Sequence, residues 1–195
     1  MIAGHFGFAA AVKSGERRVP LWGLMLATVW LDIVFVPLLL AGIETLEPVP
    51  GTQGGYGANV IHADFTHSLI GAVVLSVLFG AIAVARWDRR SGLVLGAVAF
   101  SHWLLDLPVH RRDMPIFPGN YGNLPKLGFG LWRIPTAAIT IEFALIAIGA
   151  WFYWRAARSV TATDSGRRGL AAMASWLIFA GGAAVLALDV TGILG

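Results

Sequence analysis

The chain has no cysteine, so its chemistry rests on five histidines and eleven acidic residues. Disulfides, thiolate metal sites and cysteine nucleophiles are excluded, and any metal must be held by nitrogen and oxygen. His102 and Asp106 are four residues apart and share a face if that segment is helical. Asp64 and His67, three apart, are expected to share another. Together with His5 and Asp32, the residues His67, His102 and Asp106 form a candidate ligand set for a divalent ion, zinc or alternatively manganese. Such an ion lowers the pKa of a bound water towards neutrality and makes it a nucleophile. Asp64 and Glu142 are the candidate catalytic carboxylates, although Glu142 could instead pair with Arg133 or a nearby hydroxyl. His62 and His110 read as ordinary loop histidines, and Asp189 as a helix-end or interhelical hydrogen-bonding group.

The elements that must carry these residues are hydrophobic. Of 195 residues 57% are apolar and only 13% charged, where a soluble domain carries roughly 25% charged residues. Mean hydropathy is +0.73. A single all-α integral-membrane domain over 1–195 is expected. It has about five transmembrane helices, in Pro20–Ile43, Phe65–Ala85, Gly92–Val109, Leu131–Trp154 and Leu170–Leu194, plus a short N-terminal membrane-inserted helix within Met1–Val12. An ionisable residue inside a span costs ~2.5–3.5 kcal/mol on insertion scales and usually marks function. Pro108 is expected to kink or end its helix. The stretch Pro48–Asn59, rich in Gly and Pro, reads as a flexible loop.

Lys and Arg cluster in residues 13–18, 86–90 and 155–168 and are missing from 44–63. The positive-inside rule then puts the three clusters in the cytoplasm, and the 44–63 loop and the C-terminus on the other side. The 110–130 loop must also lie outside, in spite of Arg111, Arg112 and Lys126. The basic residues form no nucleic-acid patch.

Two strings, His62-Ala-Asp-Phe-Thr-His-Ser-Leu69 and Ser101-His-Trp-Leu-Leu-Asp106, resemble the signatures of the YdjM-like, LexA-regulated inner-membrane metal-dependent hydrolases. His5 and Asp32 look like that family's early histidine and its first-span aspartate. The resemblance covers roughly residues 1–115. Ala63-Asp64 stands where the family has Arg-Gly, and Ile33-Val34 follows Asp32 where a second Asp is usual, which weakens a two-metal reading. The resemblance implies a bacterial-type inner (plasma) membrane location and hydrolysis.

Three functions follow as expectations. The first is a metal-dependent hydrolase whose intramembrane site opens to the outer side and acts on a lipid or phosphate ester, with Arg111 and Arg112 attracting an anionic group. The second is a small permease or proton-coupled carrier. The third is a non-catalytic accessory subunit of a membrane complex. Membrane lipids are the expected partners, with a homodimer or a larger membrane complex as a further possibility.

Overall fold

The computed structural model of the chain describes residues 1–52, 55–161 and 165–192. The fold is all-α apart from one small hairpin. α1 runs Ile2–Gly15, α2 Leu21–Thr28 and α3 Trp30–Leu40. Strands β1 (Thr45–Pro48) and β2 (Asn59–His62) pair antiparallel, with Thr45 opposite His62. Then follow α4 (Leu69–Arg86), α5 (Arg89–Val109), α6 (Pro135–Val160) and α7 (Ser165–Val190). α4, α5, α6 and Arg167–Val190 of α7 are each long and apolar enough to cross a membrane, and α2 with α3 makes a fifth if the bent pair counts as one span. Residues 193–195, into which the last predicted span ran, lie outside the described residues.

The outward faces explain the composition. Val73, Val74, Val77, Leu78 and Ile82 of α4 are exposed, as are Trp176 and Leu177 of α7. Water would penalise such a continuous apolar surface, whereas hydrocarbon would not. The interior is built from small residues. Ala3, Ala9 and Ala10 of α1, Ala99 of α5 and Ala138 of α6 are buried. Gly92-x-x-x-Gly96 of α5 meets Gly80 of α4, where an added Cβ would come 2.9 Å from the Gly92 carbonyl. Small residues let helices approach closely where lipid offers no hydrophobic drive.

Fourteen helical residues rise only ~21 Å, so α1 is too short to cross a hydrocarbon core of ~30 Å. It packs inside the bundle, chiefly against α6, and also touches α2, α5 and α7. Its N-terminal half is buried, with His5 fully so. Two glycines allow this depth: Gly7 faces the α6 backbone at Leu145 and Ile146, and Gly149 of α6 lies against the Gly7 carbonyl.

The three basic connections share one end of the bundle. Glu16, after α1, pairs with Arg90 of α5 at 3.4 Å, and Lys13, Arg17 and Arg167 line one cleft with Val160 at the end of α6. The opposite end carries the hairpin and the 110–134 loop. These are joined by the Ile61 N–H donating to Asp113 and by Arg111 donating to the Gly57 carbonyl. The predicted flexible loop thus contains ends of both strands of the hairpin.

Pro108 sits in the last turn of α5, and the helix ends one residue later, as expected. One feature departs from the sequence expectations: the predicted span Pro20–Ile43 is broken between α2 and α3, with a 47° bend at Val29.

The seating of α1 is testable. A Cβ on Gly7 would come 2.5 Å from the Leu145 carbonyl oxygen, while Gly15 at the helix end has open space around it. Gly7→Leu is expected to destabilise the detergent-solubilised protein by about 1–3 kcal/mol, in the range for overpacking, and Gly15→Leu by much less. Thermal unfolding of the two variants beside the parent measures the difference.

Candidate metal centre

Three helices and one turn bring the site together near the hairpin end. His102 and Asp106 lie on the inner face of α5, one turn apart as their spacing requires. His5 comes from α1, Asp32 from the first turn of α3, and His67 from the turn just before α4. The turn at 63–68 exists because Ser68 caps α4: its hydroxyl accepts the Gly71 N–H at 3.0 Å. His67 is therefore placed by backbone turns and not by a helical face, and Trp103 Nε1 holds its carbonyl at 2.9 Å.

The distances form a compact polyhedron. His67 Nε2 lies 3.1 Å from His102 Nε2, and Asp32 Oδ1 lies 3.5 Å from each of those nitrogens. Asp106 Oδ2 is 3.1 Å from His102 Nε2 and 3.9 Å from His67 Nε2. A tetrahedral ion with bonds of about 2.0–2.1 Å requires ligand-to-ligand edges of about 3.3 Å. These five edges run from 3.1 to 3.9 Å, and within them Asp32, His67 and His102 make one group that could hold a metal ion. His5, His102 and Asp106 make an overlapping group that could also do so.

Donor polarity strengthens the fit. The break after α2 leaves the Thr28 carbonyl available, and His102 Nδ1 lies 2.6 Å from it. A carbonyl only accepts, so Nδ1 carries the proton and Nε2 of neutral His102 presents a lone pair. That lone pair enters a space already bounded by two carboxylate oxygens. His5 behaves differently: its Nδ1 has no partner among the described residues, and its Nε2 lies 3.1 Å from Asp106 Oδ1. The arrangement suits an Nε2–H that donates to the carboxylate while the ring stacks on His102 at 4.0 Å.

Three residues of the site had gone unassigned in the sequence. His110, read as a loop histidine, is 2% exposed and places Nε2 3.5 Å from Asp106 Oδ2. Asp113 fixes it from behind, with Oδ1 3.0 Å from Nδ1, and Trp132 lies against the ring at 4.4 Å. The available signal was the stripe His102, Asp106, His110 at four-residue steps. Glu44, in the loop before β1, is fully buried directly behind Thr66 and His67.

The two candidate catalytic carboxylates do not join this cluster. Asp64 pairs with Lys126 at 2.7 Å, and its carbonyl holds the Gly119 N–H. The expected shared face with His67 is corrected, because residues 63–68 are a turn and not helix. Glu142, fully buried in α6, accepts the Gly4 N–H at 2.9 Å and the Tyr56 hydroxyl at 2.6 Å; the partner is thus a hydroxyl and not Arg133. Burial, and then the neighbouring Glu142 charge, hold the Tyr56 hydroxyl well above the usual phenol range, so it stays a donor. Glu142 therefore fastens α1 and the hairpin loop to α6. His62 pairs with Glu47 within the hairpin at 3.0 Å. Arg111 is committed to the Gly57 carbonyl, and Arg112 is exposed.

The chain matches no protein-family model, no curated protein and no solved structure.

The Asp64 geometry separates it from the ligands in a measurable way. The Asp64–Lys126 pair is part-exposed, so Asp64→Asn is expected to cost less than about 1 kcal/mol and to leave ion occupancy unchanged. Asp106→Asn is expected to abolish occupancy. Elemental analysis of the two purified variants compares them directly.

Proposed function

We propose that the chain is a membrane-embedded metal-dependent hydrolase, with an ion held by Asp32, His67, His102 and Asp106. Zinc suits the mixed imidazole and carboxylate set best, and manganese is the alternative. One observation carries the reading. The fixed lone pair of His102 Nε2 points into a buried space shared with Asp32 Oδ1 and Asp106 Oδ2, only 3.1 Å from a second imidazole nitrogen. In a low-dielectric interior such a set of acceptors is favourable only around positive charge. A bound ion would supply a water of lowered pKa and polarise a substrate oxygen. His5 and His110 would hold Asp106 from its two sides.

Asp32 supports a lipid-like substrate. Its side chain is 30% exposed, whereas those of His5, His67, His102 and Asp106 are 4% or less. On α3, Val36 and Leu40 follow Asp32 at helical spacing, and they are 50% and 83% exposed. The accessible edge of the site therefore lies on an apolar face, which favours an ester or phosphate ester carrying an acyl chain. Arg112 is an exposed cation of the hairpin end that would meet an anionic headgroup. The orientation proposed is the one that puts the basic end in the cytoplasm and the hairpin end and C-terminus outside. The resemblance to the YdjM-like family adds the hydrolase class to this reading.

A proton shared between His67 and His102 would satisfy the same charge requirement, and that is the carrier alternative. Metal analysis separates them. Purified protein reconstituted with zinc or manganese is expected to hold about one ion per chain. His102→Ala and Asp106→Ala should each lose it. Binding should weaken as pH falls through about 6.5, because protons compete for the ligand imidazoles. Protein that takes up neither ion sinks the metal reading. Bound metal with no turnover of phospholipid or phosphate-ester substrates sinks the enzyme alone.

A further inference from the structure

Glu44 lies between α3 and β1, at the hairpin end, and its carboxylate is fully buried. Its Oε1 accepts the Phe65 and Thr66 N–H groups, both at 2.8 Å. Its Oε2 has a single hydrogen-bond partner among the described residues, the Thr66 hydroxyl at 3.0 Å, which also lies 3.1 Å from Oε1. The same hydroxyl oxygen lies 2.9 Å from His67 Nδ1.

A hydroxyl has one proton to give. A buried carboxylate oxygen left without a donor is costly, more so than a neutral acceptor. The Thr66 proton is therefore directed to Glu44 Oε2, and the hydroxyl oxygen is left to accept. His67 Nδ1 must then be the donor, and in neutral His67 the nitrogen without a proton is Nε2. This is the nitrogen that faces His102 Nε2 and Asp32 Oδ1.

We propose that Glu44 and Thr66 are positioning residues that lock His67 in the tautomer with Nδ1 protonated, so that its Nε2 lone pair is presented to a divalent ion. This deepens the metal-centre reading and rests on it for the ion, while the tautomer itself can be read without metal. The consequence is selectivity. His102 is already fixed with a bare Nε2 by the Thr28 carbonyl, so the brace on His67 sets two lone pairs against each other at 3.1 Å. The pocket then favours a metal ion over a shared neutral tautomer pair. Carboxylate-anchored partners of this kind orient ligand histidines, and their loss typically costs 10–100-fold in metal affinity.

Substitutions at both positions can be nearly isosteric. Thr66→Val removes the hydroxyl and keeps the shape, and Thr66→Ser keeps the hydroxyl. Glu44→Gln keeps the shape but puts an amide N–H₂ where Oε2 stood. That group donates to the Thr66 oxygen and removes the carboxylate charge, so only the amide oxygen at the Oε1 position, 3.1 Å away, still draws the hydroxyl proton, and His67 Nδ1 competes for it. The experiment uses the full chain in detergent, labelled with 15N-histidine. In metal-free protein the 15N shifts of His67 should show Nδ1 protonated and Nε2 bare, and Glu44→Gln should move them towards the form protonated at Nε2. Zinc titration should show affinity lowered 10–100-fold in Thr66→Val and Glu44→Gln, with Thr66→Ser close to the parent. A parent His67 protonated at Nε2 overturns the proposal. So does parent-like zinc affinity in both Thr66→Val and Glu44→Gln when His102→Ala has lost the ion. A parent that shows the expected tautomer and binds no ion supports the brace and overturns the metal reading instead.

Discussion

A group of acceptor atoms crowded into a low-dielectric interior has to be matched by positive charge, and the rest of this structure is arranged around that demand. Two carboxylates and the bare nitrogen of His102 meet within 3.9 Å of a second imidazole nitrogen. Isolated buried carboxylates are expensive, and nothing in the packing of small residues would draw these side chains together unaided. All but Asp32 are instead held from behind. Thr28 fixes His102, Thr66 backs His67, Asp113 fixes His110, and His5 with His110 flanks Asp106. The short α1, the break before α3 and the turn ahead of α4 are irregular elements in an otherwise plain helical bundle, and each supplies one member of the group.

The small residues make that irregularity possible. α1 does not span the bundle, yet it brings His5 to full burial because Gly7 and Gly149 let two backbones meet. Glu142 then ties the start of α1 to α6 and, through Tyr56, to the loop of the hairpin. A carboxylate that looked from its position like a second catalytic group is used as a fastener, accepting from the Gly4 N–H and the Tyr56 hydroxyl of other elements.

Much of this was legible in the sequence. Long apolar runs located the helices, because hydrophobic length is nearly the whole signal for a membrane-crossing segment. His102 and Asp106 were legible as a pair because helical spacing decides their mutual placement. The same argument misplaced Asp64, since three-residue spacing carries meaning only on a helix and Ser68 begins that helix later. Glu44 and Asp113 were out of reach for a different reason: both act across chain reversals, and no periodicity reports which loop acid turns inward. His110 was missed because it follows the last helical residue, where helical spacing no longer places a side chain; Asp113, across the turn, holds its ring inwards.

The bend at Val29 couples coordination to mechanics. α3 meets the helices α2, α4 and α5 lightly in each case, and it carries the least buried member of the ligand group. On the proposed reading, holding the ion and holding α3 against the bundle are one equilibrium. The ion pulls the half-helix in, and by thermodynamic reciprocity anything that leans the half-helix outwards loosens the ion. Bilayer thickness is one such load, because apolar helices tilt to match it. The affinity of the centre is then a property of the membrane around it as well as of the chain.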